Sequence, residues 1–250
     1  MTTKLLTGIL SKPVASSSQA RLTLTERAFQ IGFGAIQWPW LLKSLYGGTR
    51  HSKFALLQRL GLDPDALPHL GSWKADTHFL HRIVDLAEER QPANVVELGS
   101  GATSLVIASA LKKNGKGRLH SYDQHLPFVG EMAKWLSGYD LDAAFHHAPL
   151  FYRSDRWPGL WYALSQLPDE IDLLVIDGPP WSVHPFARGI ADCLFDRISP
   201  GGIIMLDDAA RPGERLIARR WRSEWPEFSF NFEGEGSKGL LIGRKSFERG

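Results

Sequence analysis

The sequence predicts a doubly wound α/β domain, in which helices cover both faces of an open and mostly parallel β-sheet. Short apolar strand segments alternate with longer segments of helical periodicity, which is typical of βαβ units. The segment 173–176 is apolar on both faces, as expected for a central parallel strand covered by helices. A glycine turn within 95–105 joins a strand to a helix, and folds of this kind bind ligands at such turns.

The elements follow from periodicity and from capping signals along the chain. Helical spacing predicts an amphipathic helix over 76–87, and Asn114-Gly115 predicts the end of a helix that begins near Thr103. The segment 160–164 predicts a short helical run in the core. Further predicted elements are a helix over 128–136, strands over 142–148 and 171–176, a strand ending at 207–208, a helix over 211–225, and hairpin strands over 228–232 and 239–243.

Size and composition restrict the function. The chain has 250 residues and 43% hydrophobic content, which suits one large domain or one domain with an extension. The formal net charge of +2 gives no global electrostatic reason to expect nucleic acid as a partner. The single cysteine, Cys193, excludes an internal disulfide, and Ser11-Lys12-Pro13 interrupts the first apolar run too early for a signal-peptide core. We therefore expect a cytoplasmic protein.

The first 65 residues predict an N-terminal arm and a helical extension, ahead of a main domain at 66–250. Residues 1–20 have no sustained periodicity, whereas 24–46 are rich in apolar and aromatic groups. Charged residues and Pro39 interrupt that segment, which argues against a membrane-spanning helix. We expect one or two helices that pack on the main domain and partly cover its pocket.

The alternative for this extension is peripheral contact with a membrane through 28–53. Trp38 and Trp40 lie near Lys43, Arg50 and Lys53, and this combination is typical of segments at the headgroup level of a bilayer.

The glycine turn carries the most specific ligand signal. Gly99 and Gly101 allow the backbone to turn sharply and to approach a ligand closely, because no Cβ atom obstructs it. A dinucleotide-binding turn has a third glycine for close helix packing, and Ser104 stands at that position. Glu97 would repel a phosphate but can hold an ammonium group, directly or through a water. The turn therefore favours a cationic ligand without phosphates.

Glu-x-Gly-x-Gly after an apolar strand resembles motif I of the class I S-adenosylmethionine (SAM) dependent methyltransferases. Three further segments occur in the order of that family: a strand ending at Asp123, the strand 171–176 followed by Asp177, and the segment 199–208, in which Pro-Gly-Gly precedes the last parallel strand. The resemblance covers about residues 70–245. It implies a seven-stranded Rossmann-like sheet with an antiparallel hairpin at its end, and SAM as the cofactor.

The resemblance and the local chemistry give a set of cofactor-binding residues. Asp123 follows the turn at the separation from which a carboxylate reaches ribose hydroxyls. The N-terminus of the helix after the turn suits the methionyl carboxylate, because its free N–H groups and helix dipole favour an anion. The predicted cofactor-binding residues are Glu97, Gly99, Ser100, Gly101, Thr103, Asp123 and Asp177.

Three acidic residues end the fourth and fifth parallel strands. Asp177, Asp207 and Asp208 could converge on one divalent cation such as Mg²⁺, which prefers carboxylate oxygens. The arrangement resembles that of the catechol-type and caffeoyl-type O-methyltransferases, whose metal acids fall at these positions, with Asp208 in place of a usual Asn. Those enzymes have a lysine base where this chain has Pro180.

His184 is the substitute base that the sequence offers, because an imidazole titrates near neutral pH; the alternative is a surface histidine. The predicted catalytic residues are thus Asp177, His184 and Asp207. Trp181 and Arg188 lie near His184 and are further candidates for the substrate side of the site.

The predicted reaction is transfer of the SAM methyl group to a hydroxyl of a small molecule, a lipid or a sugar. A cation at Asp177 and Asp207 would lower the pKa of that hydroxyl; without a metal, the acids would orient the acceptor or act as bases. Two alternatives stay open, a non-catalytic SAM-fold binding protein and an NAD(P)-dependent oxidoreductase on the same architecture. A homodimer is a further expectation.

Overall fold

The computed structural model describes residues 24–152 and 156–247, so the predicted arm over 1–20 lies outside the described residues. The described helices are α1 (Leu24–Ser44), α2 (Arg50–Leu60), α3 (Thr77–Arg90), α4 (Ala102–Asn114), α5 (Leu126–Ser137), a 3₁₀ helix (Ala187–Arg197) and α6 (Pro212–Glu224). The described strands are β1 (Asn94–Leu98), β2 (Arg118–Asp123), β3 (Ala144–His147), β4 (Leu150–Tyr152), β5 (Leu160–Tyr162), β6 (Ile171–Ile176), β7 (Ile198–Leu206), β8 (Phe228–Glu233) and β9 (Leu240–Lys245).

Seven strands form one sheet in the order β3-β2-β1-β6-β7-β9-β8. The strands β3, β2, β1, β6 and β7 are parallel, and β9 pairs antiparallel with both β7 and β8. The prediction of a seven-stranded, mostly parallel sheet that ends in an antiparallel hairpin is confirmed. The strand order reverses at β1, which has β2 on one side and β6 on the other, and a ligand crevice is expected at that point.

The core lies on both faces of the sheet because successive side chains of a strand point in opposite directions. In β1, Val95 packs with α2, α3 and α4 on one face, whereas Val96 packs with the 3₁₀ helix and α6 on the other. β6 repeats the alternation, with Leu173 on the first face and Leu174 on the second. Both faces are therefore covered, as a doubly wound fold requires.

The prediction of a helical run over 160–164 is wrong. Residues Leu160–Tyr162 form β5, which pairs antiparallel with β4 in a separate two-stranded sheet. Trp161 and Tyr162 are buried, so the assignment of this segment to the core holds. Aromatic residues favour strands, and three residues paired with a partner strand satisfy backbone groups that so short a helix would leave open.

Helix α1 lies against the loop that follows β6. A Cβ atom built on Gly34 would lie 3.5 Å from the Trp181 ring, and the rings of Phe33 and Phe186 are 5.4 Å apart. The division into an extension at 1–65 and a main domain at 66–250 stays a prediction. α2 enters the core through Leu56 and Leu57. Among the described helices, none combines the length and the apolar character that a membrane span needs.

Candidate functional site

The crevice lies at the carboxyl ends of β1, β2, β6 and β7. The parallel ladder continues just beyond the strands, because Asp177 N donates to Leu98 O (2.9 Å) and Asp207 N donates to Ile176 O (3.0 Å). Asp123 ends β2 next to the glycine turn. The acids that the sequence singled out therefore share one edge of the sheet.

The two glycines of the turn have different roles. Gly99 has a φ of +92°, and a Cβ atom there would lie 2.8 Å from Gly178 N, so the position needs glycine to let the ends of β1 and β6 meet. A Cβ atom on Gly101 would meet nothing within 4 Å. Gly101 thus faces open space at the start of α4, where a ligand can approach the backbone.

Glu97 is fully buried beneath this turn. Its Oε2 accepts hydrogen bonds from the hydroxyls of Ser104 and Ser121, each at 2.5 Å, while its Oε1 has no hydrogen-bond partner among the described residues. Burial raises the pKa of Glu97 to about 7, although hydrogen bonds from neighbouring hydroxyls favour the carboxylate. The oxygen without a partner is the kind of group that a bound ammonium or water would satisfy.

Ser104 explains why the third glycine of a dinucleotide turn is absent. Its Oγ accepts a hydrogen bond from Gly101 N (3.0 Å) and donates to Glu97. One serine thus joins the turn to the buried acid. Ser100 extends the network, since its hydroxyl lies 2.7 Å from the hydroxyl of Ser121.

Asp123 borders the same turn. Its Oδ1 accepts from His125 N (2.8 Å) and its Oδ2 accepts from Ser100 N (3.3 Å), while burial raises its pKa. Thr103 is buried in the first turn of α4. The structure therefore brings six of the predicted cofactor-binding residues around one turn: Glu97, Gly99, Ser100, Gly101, Thr103 and Asp123.

A second group of acids lies at the ends of β6 and β7. One oxygen from each of Asp177, Asp207 and Asp208 lies within 4.8 Å of the others, so the predicted convergence is present. Lys238, from the loop between β8 and β9, enters this group: its Nζ lies 3.2 Å from Asp207 Oδ2 and 3.5 Å from Asp208 Oδ1. The Lys238 side chain is only 2% exposed.

Two arginines complete this cluster. Arg188 Nη1 lies 3.1 Å from Asp208 Oδ2, and its Nη2 lies 3.4 Å from Asp177 Oδ1. Arg211 Nη2 lies 2.8 Å from Asp208 Oδ1. Glu214 is a fourth buried acid, 3.9 Å from Arg188 Nη1. We call these seven residues the charge cluster: Asp177, Arg188, Asp207, Asp208, Arg211, Glu214 and Lys238.

The charged groups of this cluster shift one another's pKa values. Burial, with Asp207 adding repulsion, holds the pKa of Asp177 well above its usual range. Burial alone would raise the pKa of Asp208 too, but Arg211, Lys238 and Arg188 hold it at about 2. Burial opposes the charge of Lys238, yet Asp207 and Asp208 outweigh it and raise its pKa above the ordinary value. Lys238 is therefore a fixed cation at neutral pH.

This donor set does not fit a divalent cation as it stands. At least one oxygen of each of Asp177, Asp207 and Asp208 already contacts an ammonium or a guanidinium group. A metal at their centre would face Lys238 and Arg188 at close range, and like charges in a buried site repel strongly. The metal-binding role of the three aspartates stays a prediction, and no reaction step below depends on it.

The residues predicted on the substrate side separate in the structure. Arg188 is buried in the charge cluster, where it also donates to the carbonyls of Asp207 and Pro179, so it does not face a substrate as predicted. His184 lies just before the 3₁₀ helix, where its Nδ1 accepts from Phe186 N (3.1 Å). Its role as a base stays a prediction.

Two residues of the site escaped the sequence-based prediction. Lys238 lies in a glycine-rich hairpin loop, and no motif marks it. Tyr162 was assigned to the core, but its hydroxyl lies against Gly178, where an added Cβ atom would be 2.1 Å away. Burial holds the pKa of this phenol well above its ordinary value; Asp123, Asp177 and Glu97 raise the pKa further, and Arg188 lowers it. Both residues reach the site only through tertiary structure.

Comparisons with known proteins agree with this geometry. Residues 96–209 match a family model described as a methyltransferase domain. No curated protein sequence matches the chain. Among solved structures, an O-methyltransferase from Bacillus cereus in complex with SAH has a TM-score of 0.55 at 13% identity, covering 87% of this chain and 100% of that chain.

Two further solved structures are similar in fold. The SAH-bound Podospora anserina methyltransferase PaMTH1 has a TM-score of 0.54 at 12% identity, covering 92% of this chain and 99% of that chain. The O-methyltransferase TomG from Streptomyces achromogenes, in complex with SAM, has a TM-score of 0.50 at 13% identity, covering 90% of this chain and 100% of that chain. At these identities the likeness shows the fold.

Proposed function

We propose that this chain is a class I SAM-dependent methyltransferase that transfers the methyl group of SAM to a hydroxyl group of a small molecule, a lipid or a sugar; the match of residues 96–209 to a methyltransferase-domain model supports this. The observation that carries the proposal is the buried carboxylate of Glu97, whose Oε1 has no partner among the described residues, beneath the open turn at Gly101. A ligand with an ammonium group and no phosphate suits this turn, and SAM has both properties.

In this proposal the cofactor lies along the glycine turn. Glu97 holds the methionyl ammonium, directly or through a water, and the N-terminal end of α4 faces the methionyl carboxylate. Asp123 accepts hydrogen bonds from the ribose hydroxyls with the lone pairs that its backbone donors leave open. When bound, SAM supplies an electrophilic methyl group on a positively charged sulfur.

Asp177 is the proposed base for the acceptor hydroxyl. Its side chain is 13% exposed, whereas those of Asp207 and Asp208 are 1% and 3% exposed, so among these three acids it is the one that a substrate can reach. Its raised pKa makes its carboxylate a stronger base than an ordinary aspartate. Arg188 orients it, because Arg188 Nη2 lies 3.4 Å from Asp177 Oδ1. His184 is the alternative base.

The glycine turn disfavours one of the two rival functions, and Asp177 disfavours the other. A dinucleotide would place its pyrophosphate beside the buried Glu97, and Ser104 fills the position of the third glycine. A non-catalytic SAM-binding protein has no need for an acid of raised pKa at the acceptor side. Loss of turnover in Asp177→Asn with SAH binding retained would distinguish an enzyme from such a protein.

Calorimetric titration with S-adenosylhomocysteine (SAH) tests the cofactor site. We expect SAH to bind the full chain, with or without Mg²⁺, and NAD to leave that binding unchanged. Asp123→Ala should abolish or strongly weaken SAH binding, because the ribose loses its acceptor. Asp142→Ala, at an exposed position, is the matched control and should bind like the parent chain. A preference for NAD over SAH would refute the proposal.

A second candidate role, peripheral contact with an anionic membrane, is favoured by one surface of α1. Trp38 and Leu42 are four residues apart, so they lie on the same face of the helix, and they are 60% and 51% exposed; Lys43 and Arg50, which follow in the chain, are exposed as well. Lys53, which the sequence placed in the same group, instead donates to the carbonyls of Leu67 and Pro68. We propose that this face lies on anionic headgroups, in a cytoplasmic setting.

Co-sedimentation of the full chain with phosphatidylserine vesicles tests the membrane contact. Trp38→Ser should reduce the bound fraction, whereas Phe247→Ser, which removes another exposed aromatic ring, should not. Equal binding by both variants would contradict the contact. If Trp38→Ser instead converts a dimer to a monomer in light scattering without vesicles, the face holds a second copy of the chain, as the homodimer expectation requires.

A further inference from the structure

The Lys238 ammonium lies at the position that a cation shared by Asp207 and Asp208, just after β7, would occupy. Its ammonium group contacts one oxygen of Asp207 and one oxygen of Asp208 at once, and these are two of the three acids that converge in the charge cluster. The side chain is buried, so solvent cannot compensate either partner. Lys238 thus already supplies the charge that the acids require.

The formal charges of the cluster support this view. Asp177, Asp207, Asp208 and Glu214 could carry four negative charges, and Arg188, Arg211 and Lys238 carry three positive ones. With all four acids ionised, the cluster therefore carries one net negative charge. A divalent cation added to this cluster would turn that into one net positive charge in a buried site.

We propose that the Lys238 ammonium, supported by Arg188, takes the place of a divalent metal at the ends of β6 and β7. The charge cluster then holds its acids in place at the acceptor side of the crevice without a metal ion. Lys238 is a positioning residue, because it reaches the crevice only through Asp207 and Asp208. Removing its side chain while leaving the acids in place would leave a buried, negatively charged cavity with three carboxylates. That cavity has the oxygen ligands that Mn²⁺ and Mg²⁺ prefer.

Mn²⁺ binding followed by electron paramagnetic resonance tests the proposal on the full chain. The parent protein should bind no stoichiometric Mn²⁺, whereas Lys238→Ala should bind about one ion per chain. Lys238→Ala combined with Asp207→Asn should lose that ion again. Lys245→Ala is the matched control: this lysine lies in β9 and donates to the carbonyls of Phe195 and Ile198 rather than to acids, so its loss should create no Mn²⁺ site.

Two results would overturn the proposal. One is stoichiometric Mn²⁺ binding by the parent chain that disappears in Asp207→Asn, since the acids would then hold a metal beside Lys238. The other is a folded Lys238→Ala variant, verified by circular dichroism, that binds no Mn²⁺. If Lys238→Ala does not fold, the comparison of the parent chain with Asp207→Asn decides the question alone.

The consequence for catalysis rests on the proposed function. Methyl transfer by the parent chain should keep its full rate in the presence of a chelator. The Mn²⁺ measurement does not depend on turnover or on SAH, so a chain that binds neither SAH nor Mn²⁺ would refute the proposed function and still support the role of Lys238.

Discussion

The crevice has two groups of buried acids, and their negative charges are stabilised in different ways. On the cofactor side, Glu97 and Asp123 receive hydrogen bonds from serine hydroxyls and backbone N–H groups, and no Lys or Arg among the described residues forms a salt bridge with either. On the acceptor side, Asp207 and Asp208 contact Lys238, Arg188 and Arg211.

This difference indicates which group can accept a cationic ligand. Hydrogen bonds from neutral donors hold a carboxylate in place without cancelling its charge, so Glu97 keeps an electrostatic attraction for an ammonium group. The acids of the charge cluster are already neutralised by their own cations. Buried carboxylates at strand ends are therefore a weak sign of a metal site until their partners are known.

The largest effect is expected at Asp177, the most exposed acid of the charge cluster. Asp177→Asn removes the proposed base and should lower kcat by about 10²- to 10⁴-fold, the range typical of a positioned general base. SAH binding should change little, which separates the chemical step from cofactor binding. Steady-state kinetics with an accepted hydroxyl substrate, together with calorimetry, measure both quantities.

The control for this prediction is Asp169→Asn, which changes a fully exposed acid just before β6 and should leave kcat unchanged. An unaltered kcat in Asp177→Asn would transfer the role of the base to His184. The pH profile provides a second reading. The acid must be ionised to accept a proton, so kcat should fall as the pH falls through the raised pKa of Asp177, above the range of an ordinary aspartate.

Stability should distinguish the charge cluster from pairs at the surface. Lys238→Met leaves Asp207 and Asp208 buried without their ammonium partner, which should cost about 3–5 kcal/mol in the free energy of unfolding. Lys112→Met breaks an exposed pair with Asp140 and should cost far less. Denaturant titration measures both. A small loss in Lys238→Met would mean that Arg188 and Arg211 compensate the acids without Lys238.

The grouping of the residues around the glycine turn was predictable because its signals are local, while their role in cofactor binding stays a prediction. Glu97, Gly99 and Gly101 lie in one strand-turn-helix segment, and the contacts that join them to Ser104 span only a few residues. Asp123 follows from the end of the next strand. The positions of the parallel strands along the chain were predictable for the same reason, since apolar segments and turns mark each one.

The acceptor side was less predictable because its partners are distant in sequence. Lys238 reaches Asp207 only because β9 pairs antiparallel with β7, and no residue near Lys238 indicates that contact. Arg188 was noticed, but nothing local shows that its side chain enters the core. The prediction for 160–164 was wrong for another reason. The three residues Leu160–Tyr162 are too few for their hydrophobic pattern to distinguish a strand from a helix.

The smallest effect tests the cofactor side directly, through the pH dependence of SAH binding. Glu97 has a pKa of about 7 in the folded chain, so a proton should compete with the ligand ammonium as the pH falls below that value. Affinity should decrease about tenfold between about pH 8.5 and about pH 6. At the higher pH, Glu97→Gln should bind SAH about 10- to 100-fold more weakly, as expected for a lost charge-assisted hydrogen bond, and should lose most of the pH dependence.

Glu131→Gln, an exposed change in α5, should behave like the parent chain. If Glu97→Gln keeps the parent pH profile, a different group binds the ammonium, and the contrast between the two acid groups would no longer explain ligand choice.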